Sequence, residues 1–160
     1  MLKTEVYDYL NKNNIKFEIT EHMAVYNMEE LSKVSLPYPE WEAKNLFVRD
    51  DKKKDYCLIT VRGNKRVNLK EFRKKHNLRN LSFAGEDELM EILKLTPGSV
   101  TPLGILNDLE HKVRFYLDLE FVGNPIGVHP NENTATVWMQ ADDLLNLLRK
   151  HGNEVEVTEI

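Results

Sequence analysis

The sequence predicts an α+β fold, a single domain with a mixed β-sheet and helices packed outside it. Three observations carry this. Apolar and polar residues alternate in short stretches, most plainly at Val113, Phe115, Leu117, Leu119 and Phe121. Apolar residues recur at helical spacing near both ends, at Val6, Tyr9 and Leu10 and again at Leu144, Leu145, Leu147 and Leu148. No internal repeat, low-complexity tract or linker interrupts the 160 residues, so one domain over 1–160 is expected.

The elements follow in order. Leu2 to Asn13 reads as an amphipathic helix ended by Asn13-Asn14. Ile15, Phe17 and Ile19 alternate as a strand. Asn27 caps a helix running to about Val34, with Glu30 three residues on to complete the cap. Leu36-Pro37-Tyr38-Pro39 then forces extended chain, because residues before proline avoid the helical region. Trp41 to Arg49 begins a central strand, and Asp50 to Asp55 is a charged hairpin turn. Tyr56 to Arg62 returns as a strand. Asn68 caps a helix containing Leu69 and Phe72. Leu81 to Ala84 is a short apolar run, and Glu86 to Leu93 is a helix with acidic residues in its first turn, which suits the helix dipole. Leu103 to Leu106 reads as a buried strand, and Val113 to Phe121 as another whose far face carries Arg114, Tyr116, Asp118 and Glu120. Ile126 to Pro130 and Thr134 to Met139 are strands, Asp142 to His151 is a helix stopped by Gly152, and Glu154 to Ile160 is an edge strand.

Composition excludes several classes. Apolar residues at 41% and charged ones at 30% describe an ordinary globular chain, not a disordered one. No apolar run is long enough to span a bilayer, and Glu5, Asp8 and Asn11 interrupt any secretory signal. The single cysteine, Cys57, sits in a strand and reads as a small core residue; with no disulfide available, a cytoplasmic location is expected. The net charge of −4 hides an asymmetry: Lys44 to Arg79 holds 13 Lys and Arg against 4 Asp and Glu, and the rest holds 9 against 22. A basic segment on an acidic body can attract a phosphate backbone, or be a solvated surface. The five histidines are scattered without metal-ligand spacing, so neither a metal nor another cofactor is expected. No nucleophile elbow and no phosphate-binding glycine loop is present. Asp118 and Glu120 share a strand face and read as a solvent-facing stripe.

Gly98-Ser99-Val100-Thr101-Pro102 is the stretch around which a site would form. Gly98 permits backbone angles closed to other residues, and Pro102 fixes φ, so the loop can aim its amides rigidly at a small polar ligand. By itself such a pair is also ordinary turn punctuation. Its company decides. Upstream stands Lys44-Asn45-Leu46-Phe47-Val48-Arg49-Asp50, and downstream His129-Pro130-Asn131-Glu132-Asn133-Thr134-Ala135-Thr136. These three motifs, in this order, resemble the YbaK/prolyl-tRNA editing-domain superfamily, and within it the freestanding deacylases that clear alanine from mischarged tRNA(Pro).

The resemblance covers nearly the whole chain and implies a sheet curled into a barrel-like core. It implies hydrolysis of Ala-tRNA(Pro) without a metal, with Lys44, Gly98 and His129 as the catalytic positions. It implies that Asn45, Ser99, Val100, Thr101 and Pro102 bind substrate, and that Met28, Leu31 and Val34 wall the aminoacyl pocket, where ordinary core packing serves as well. His129 is assigned to positioning or to general-base work. The partners implied are the aminoacylated acceptor end of tRNA(Pro) and prolyl-tRNA synthetase. Removal of cysteine, and a non-catalytic tRNA- or synthetase-binding module, are the alternatives.

Overall fold

The computed structural model describes residues 1–160. The chain runs α1 (Lys3–Lys12), β1 (Phe17–Glu21), α2 (Met28–Leu31), β2 (Ala43–Asp50), β3 (Tyr56–Arg62), α3 (Leu69–Lys75), β4 (Leu81–Phe83), α4 (Glu86–Leu93), β5 (Val113–Asp118), β6 (Pro125–Val128), β7 (Ala135–Gln140), α5 (Ala141–His151) and β8 (Val155–Thr158). The expected α+β architecture is present. Its hydrogen bonding divides into a five-stranded sheet, ordered β4-β2-β3-β5-β8, and a three-stranded sheet, β1-β7-β6. The first is mixed: β3–β5 and β5–β8 are parallel, and the other pairs are antiparallel. A single parallel bridge between Glu42 and Gly127 joins the two sheets.

The two faces of the large sheet bury different clusters. Phe47, Leu58, Phe115 and Leu117 pack with α1, α4 and α5 in the main core. Val48, Cys57, Ile59, Val61 and Tyr116 pack under Phe72 of α3. Strands buried on both faces lose simple alternation, which is why β3 reads as a continuous apolar run. Cys57 is fully buried, and burial pushes its thiol up to about 12, so it stays protonated and inert.

Local chemistry sets the turns. The Asp50 carboxylate accepts from the N–H groups of Lys54 and Asp55 at 2.7 and 3.0 Å, which closes the β2–β3 hairpin. Asn27 and Asn68 cap α2 and α3 through their side-chain oxygens, accepting from Glu30 and Glu71 N–H at 2.8 and 3.1 Å. Glu88 of α4 accepts from Gly85 N–H, the Arg49 guanidinium and the Tyr56 hydroxyl, at 3.1, 2.8 and 2.8 Å. This knot locks α4, and with it the loop that follows, to β2 and β3.

Several elements differ from the sequence expectation. Leu103–Leu106 is not a strand but part of a 3₁₀ helix over Pro102–Asn107. Thr101 caps it, accepting from Leu103 N–H at 3.3 Å, and Pro102 at the first position lacks the N–H a strand would need. The strand from Val113 stops at Asp118; Leu119–Phe121 forms a 3₁₀ turn and leaves Leu119 53% exposed. Trp41 belongs to a 3₁₀ turn at Pro39–Trp41, and α2 is one turn ending at Leu31, so Val34 lies beyond it. Asp118 faces no solvent. It is fully buried and its carboxylate lies 2.6 Å from the Lys65 ammonium.

Candidate active site

β2 is the organising strand of the site. Its outer edge carries β6 through the bridge at Glu42, and β4 from Phe47 onward, where Ala84 N–H donates to Phe47 O at 3.0 Å. Between them Lys44 and Asn45 open onto a cavity of about 190 Å³. Across it stand Gly98 and Val100, with His129 at the end of β6, and Val25, Tyr26, Met28 and Leu31 from α2 and the segment before it. Seven of the eleven expected site residues therefore line one space, Met28, Leu31, Lys44, Asn45, Gly98, Val100 and His129, and Val34 is not among them. Ser99, Thr101 and Pro102 are buried behind its wall.

The loop is held from three sides. Asn45 spans the gap to it: its amide donates to Val100 O at 3.3 Å, while its oxygen accepts from the Thr60 hydroxyl at 2.6 Å. Thr101 donates its hydroxyl to His129 O at 2.6 Å. Gly98 sits at φ +88°, and a Cβ there would come within 2.8 Å of the Tyr26 ring. Glycine is required on both counts. Ser99 N–H is used by Thr96 O at 3.1 Å, but the N–H groups of Gly98, Val100 and Thr101 make no hydrogen bond within the chain. Two of these free donors, on Gly98 and Val100, belong to residues that line the cavity.

His129 is prepared as an acceptor. Its Nδ1 lies 2.9 Å from Ala135 O, and a carbonyl can only accept, so Nδ1 carries the proton. Nε2 of the neutral ring is then a free lone pair. Burial holds the ring below the ordinary imidazole value, with the neighbouring His22 adding to the effect, so it is neutral near pH 7. Lys44 is a half-buried cation whose ammonium donates to the carbonyl of Lys65. Burial lowers its pKa, and the positive charge of Arg66 lowers it further.

Sequence reasoning missed Tyr26, which presses on Gly98, and the anchor beneath Lys44. Lys65 lies in the loop after β3, clamped by Asp118 and by Glu120 at 3.4 Å. No local pattern marks either; only the parallel pairing of β3 with β5 brings residues 65 and 118 together. It also missed Glu42, 4% exposed at the start of β2, where burial pushes the carboxyl up to about 8 and Oε2 has no hydrogen-bond partner. No group of three or more His, Cys, Asp or Glu converges anywhere in the chain.

The mixed-sheet domain thus carries one cavity that combines free loop amides, a half-buried lysine and a neutral imidazole. Residues 22–147 match the model of the aminoacyl-tRNA editing domain, and the chain belongs to that family. It is 36% identical to the prolyl-tRNA editing protein ProX of Acetoanaerobium sticklandii, over 99% of this chain and 97% of the relative. It is 32% identical to the prolyl-tRNA synthetase associated domain-containing protein 1 of Mus musculus, over 96% and 93% of the two chains. A solved structure described as a candidate trans-editing enzyme for prolyl-tRNA synthetase superposes with a TM-score of 0.75 at 19% identity, covering 98% of this chain and 94% of the other, which bears on the fold alone.

Proposed function

We propose that this chain is a trans-editing deacylase that hydrolyses the ester joining alanine to the terminal adenosine of mischarged tRNA(Pro), in the cytoplasm and without a metal. The observation that carries the reading is the convergence of two unpartnered amides, Gly98 and Val100, with Lys44 and the free Nε2 of His129 on one small cavity. An aminoacyl ester is already activated, so the enzyme needs only to position water and stabilise the oxyanion. The amides receive the ester carbonyl as its charge develops. Lys44 adds a positive charge beside it, and Asn45 holds the loop in register. His129 accepts a hydrogen bond from the α-amine or from water; the ring supports either positioning or general-base work. Ser99, Thr101 and Pro102 shape the loop from behind, and Met28 and Leu31 contact the side chain of the amino acid.

Selectivity follows from size. A synthetase gains only ~1–3 kcal/mol per methylene and cannot fully reject a smaller amino acid. A second, tighter pocket can admit alanine and exclude proline, the logic of a double sieve. The basic segment from Lys44 to Arg79 supplies phosphate contacts for the acceptor end, and prolyl-tRNA synthetase is the partner that would deliver it.

The test is hydrolysis of Ala-tRNA(Pro), Cys-tRNA(Pro) and Pro-tRNA(Pro), with and without chelator, at low salt. Chelator-resistant loss of alanine with proline spared is expected. Preference for cysteine would keep the mechanism and change the substrate. No hydrolysis of any of the three would leave a binding module in place of an enzyme.

A further inference from the structure

We propose that a second cavity, on the far side of the Gly98–Val100 loop, holds the base of the substrate's terminal adenosine, with Phe83 as its stacking platform. This rests on the deacylase reading of the first cavity and adds where the rest of the ligand goes. The second cavity encloses about 260 Å³ and shares Asn45, Gly98 and Val100 with the first. A substrate in which an amino acid and a nucleoside are joined by one ester needs two spaces that meet at the reacting carbonyl. Here they meet at the loop whose amides are free.

The lining suits a base. Phe83 closes β4 and is 62% exposed, an aromatic face left uncovered beside Ala84 and Glu86. It is not a mobile residue on a loop. β4 pairs with β2 from Val48↔Phe83 to Asp50↔Leu81, and the Ala84 N–H bond to Phe47 O fixes its end. Every nucleobase has a π face that such a ring can stack on. The Glu86 carboxylate at the rim offers an acceptor for the exocyclic amine of adenine, where a base with a carbonyl there would be repelled.

The seam between the two spaces has its own polar groups. In β2 the main-chain groups of alternate residues face opposite edges. Phe47 turns its carbonyl to the β4 side, so Asn45 turns its N–H and C=O to that same edge. No strand pairs with β2 at Asn45 on that edge: β4 pairs with it from Val48 onward, and the β6 bridge lies at Glu42. A ribose between base and ester brings hydroxyls that both donate and accept, which is what this gap lacks. The other cavity that touches the first, through Met28, is lined by Glu29, Glu40 and Arg62 and has no aromatic ring on which a base could stack.

The test pairs kinetics with direct binding. Phe83→Ala and Phe83→Trp are compared with the parent protein on Ala-tRNA(Pro), and each is titrated with millimolar 5′-AMP while backbone and Phe ring resonances are followed by NMR. Phe83→Ala is expected to raise KM about tenfold, in line with the loss of one base stack, with kcat within about twofold. Phe83→Trp should restore KM. In the parent protein 5′-AMP should shift Phe83, Ala84 and Val100, and these shifts should vanish in Phe83→Ala. An unchanged KM in Phe83→Ala alongside an active parent would overturn the base site and leave the deacylase reading intact. A parent that hydrolyses no aminoacyl-tRNA would remove that reading, and the 5′-AMP shifts would then decide the base site alone: perturbation centred elsewhere, or none, overturns it.

Discussion

The ammonium of Lys44 is held by the main-chain carbonyl of Lys65, and the ammonium of Lys65 is itself held by Asp118, 2.6 Å away. Two lysines thus stand back to back. One is anchored to a fully buried carboxylate so that its backbone can orient the other at the cavity. Lys44→Ala is expected to lower deacylation of Ala-tRNA(Pro) by about 10²-fold or more, the scale of losing one preorganised charge or donor at a developing oxyanion. The midpoint of urea unfolding should barely move, because Lys44 is only partly buried. Activity near the parent level would remove Lys44 from the mechanism.

Asp118→Ala tests the anchor. Removing one partner of a buried ion pair costs ~3–5 kcal/mol, and Lys65 keeps 29% of its side chain exposed, so the low end of that range is expected. Deacylation should fall as well, since the Lys65 carbonyl loses its fixed position. Asp118→Asn retains an acceptor for Lys65 and should lose less on both measures. Equal losses from the two substitutions would mean that the strand, not the ion pair, sets the position of Lys44.

Gly98→Ala places a Cβ against the Tyr26 ring in left-handed backbone, a conformation costing other residues ~1–2 kcal/mol. Stability measured by denaturant should drop by about that amount, and deacylation by far more, because the loop amides shift away from the carbonyl they receive. Adding Tyr26→Ala relieves the contact but not the φ angle, so recovery should be partial. Full recovery would point to the ring alone.

Glu42 should make stability depend on pH. Its folded-state pKa, about 8, lies above the unfolded carboxylate value, so the folded protein binds the proton more tightly. That contribution is complete below the unfolded pKa, near 4.5, and is lost as pH rises toward about 8. Glu42→Gln removes the titration. In denaturant unfolding at a series of pH values, Glu42→Gln should gain on the parent steadily across that window and level off above it. Parallel curves for the two proteins would show that the carboxyl is ionised in the fold.

His129 titrates below the ordinary imidazole value because burial disfavours its charge. The Nε2 lone pair therefore survives moderate acid. A pH–rate profile should stay flat from neutral pH down past 6.5, the reference value for histidine, and fall only below it. His129→Ala should abolish that acid limb together with most of the activity. An acid limb centred at or above the reference value would assign it to another group.

Much of the fold was legible because its signals are local. The Asn68 cap, the Asp50 hairpin and the stop at Gly152, φ +114°, each depend on a few adjacent residues. The misreadings share one cause. Leu103 to Leu106 is apolar enough for a buried strand, but Thr101 and Pro102 wind it into a 3₁₀ helix. Asp118 sits on the face that alternation assigns to solvent, yet the Lys65 loop and β8 cover it. Periodicity reports which residues share a face; it does not report what the chain later lays over that face.

The amino-acid order alone determined most of the helices and strands, the core cysteine, and the three segments that carry Lys44, Gly98 and His129. Those properties follow from residue chemistry and short-range sterics. Only the tertiary structure decided that the three segments enclose one cavity, that the amides of Gly98 and Val100 lack partners, and that Lys44 is aimed through Lys65 and Asp118. Each of these depends on strands far apart in sequence pairing in a particular register. Register is settled by the burial of both faces of the sheet together, which no single stretch of chain contains.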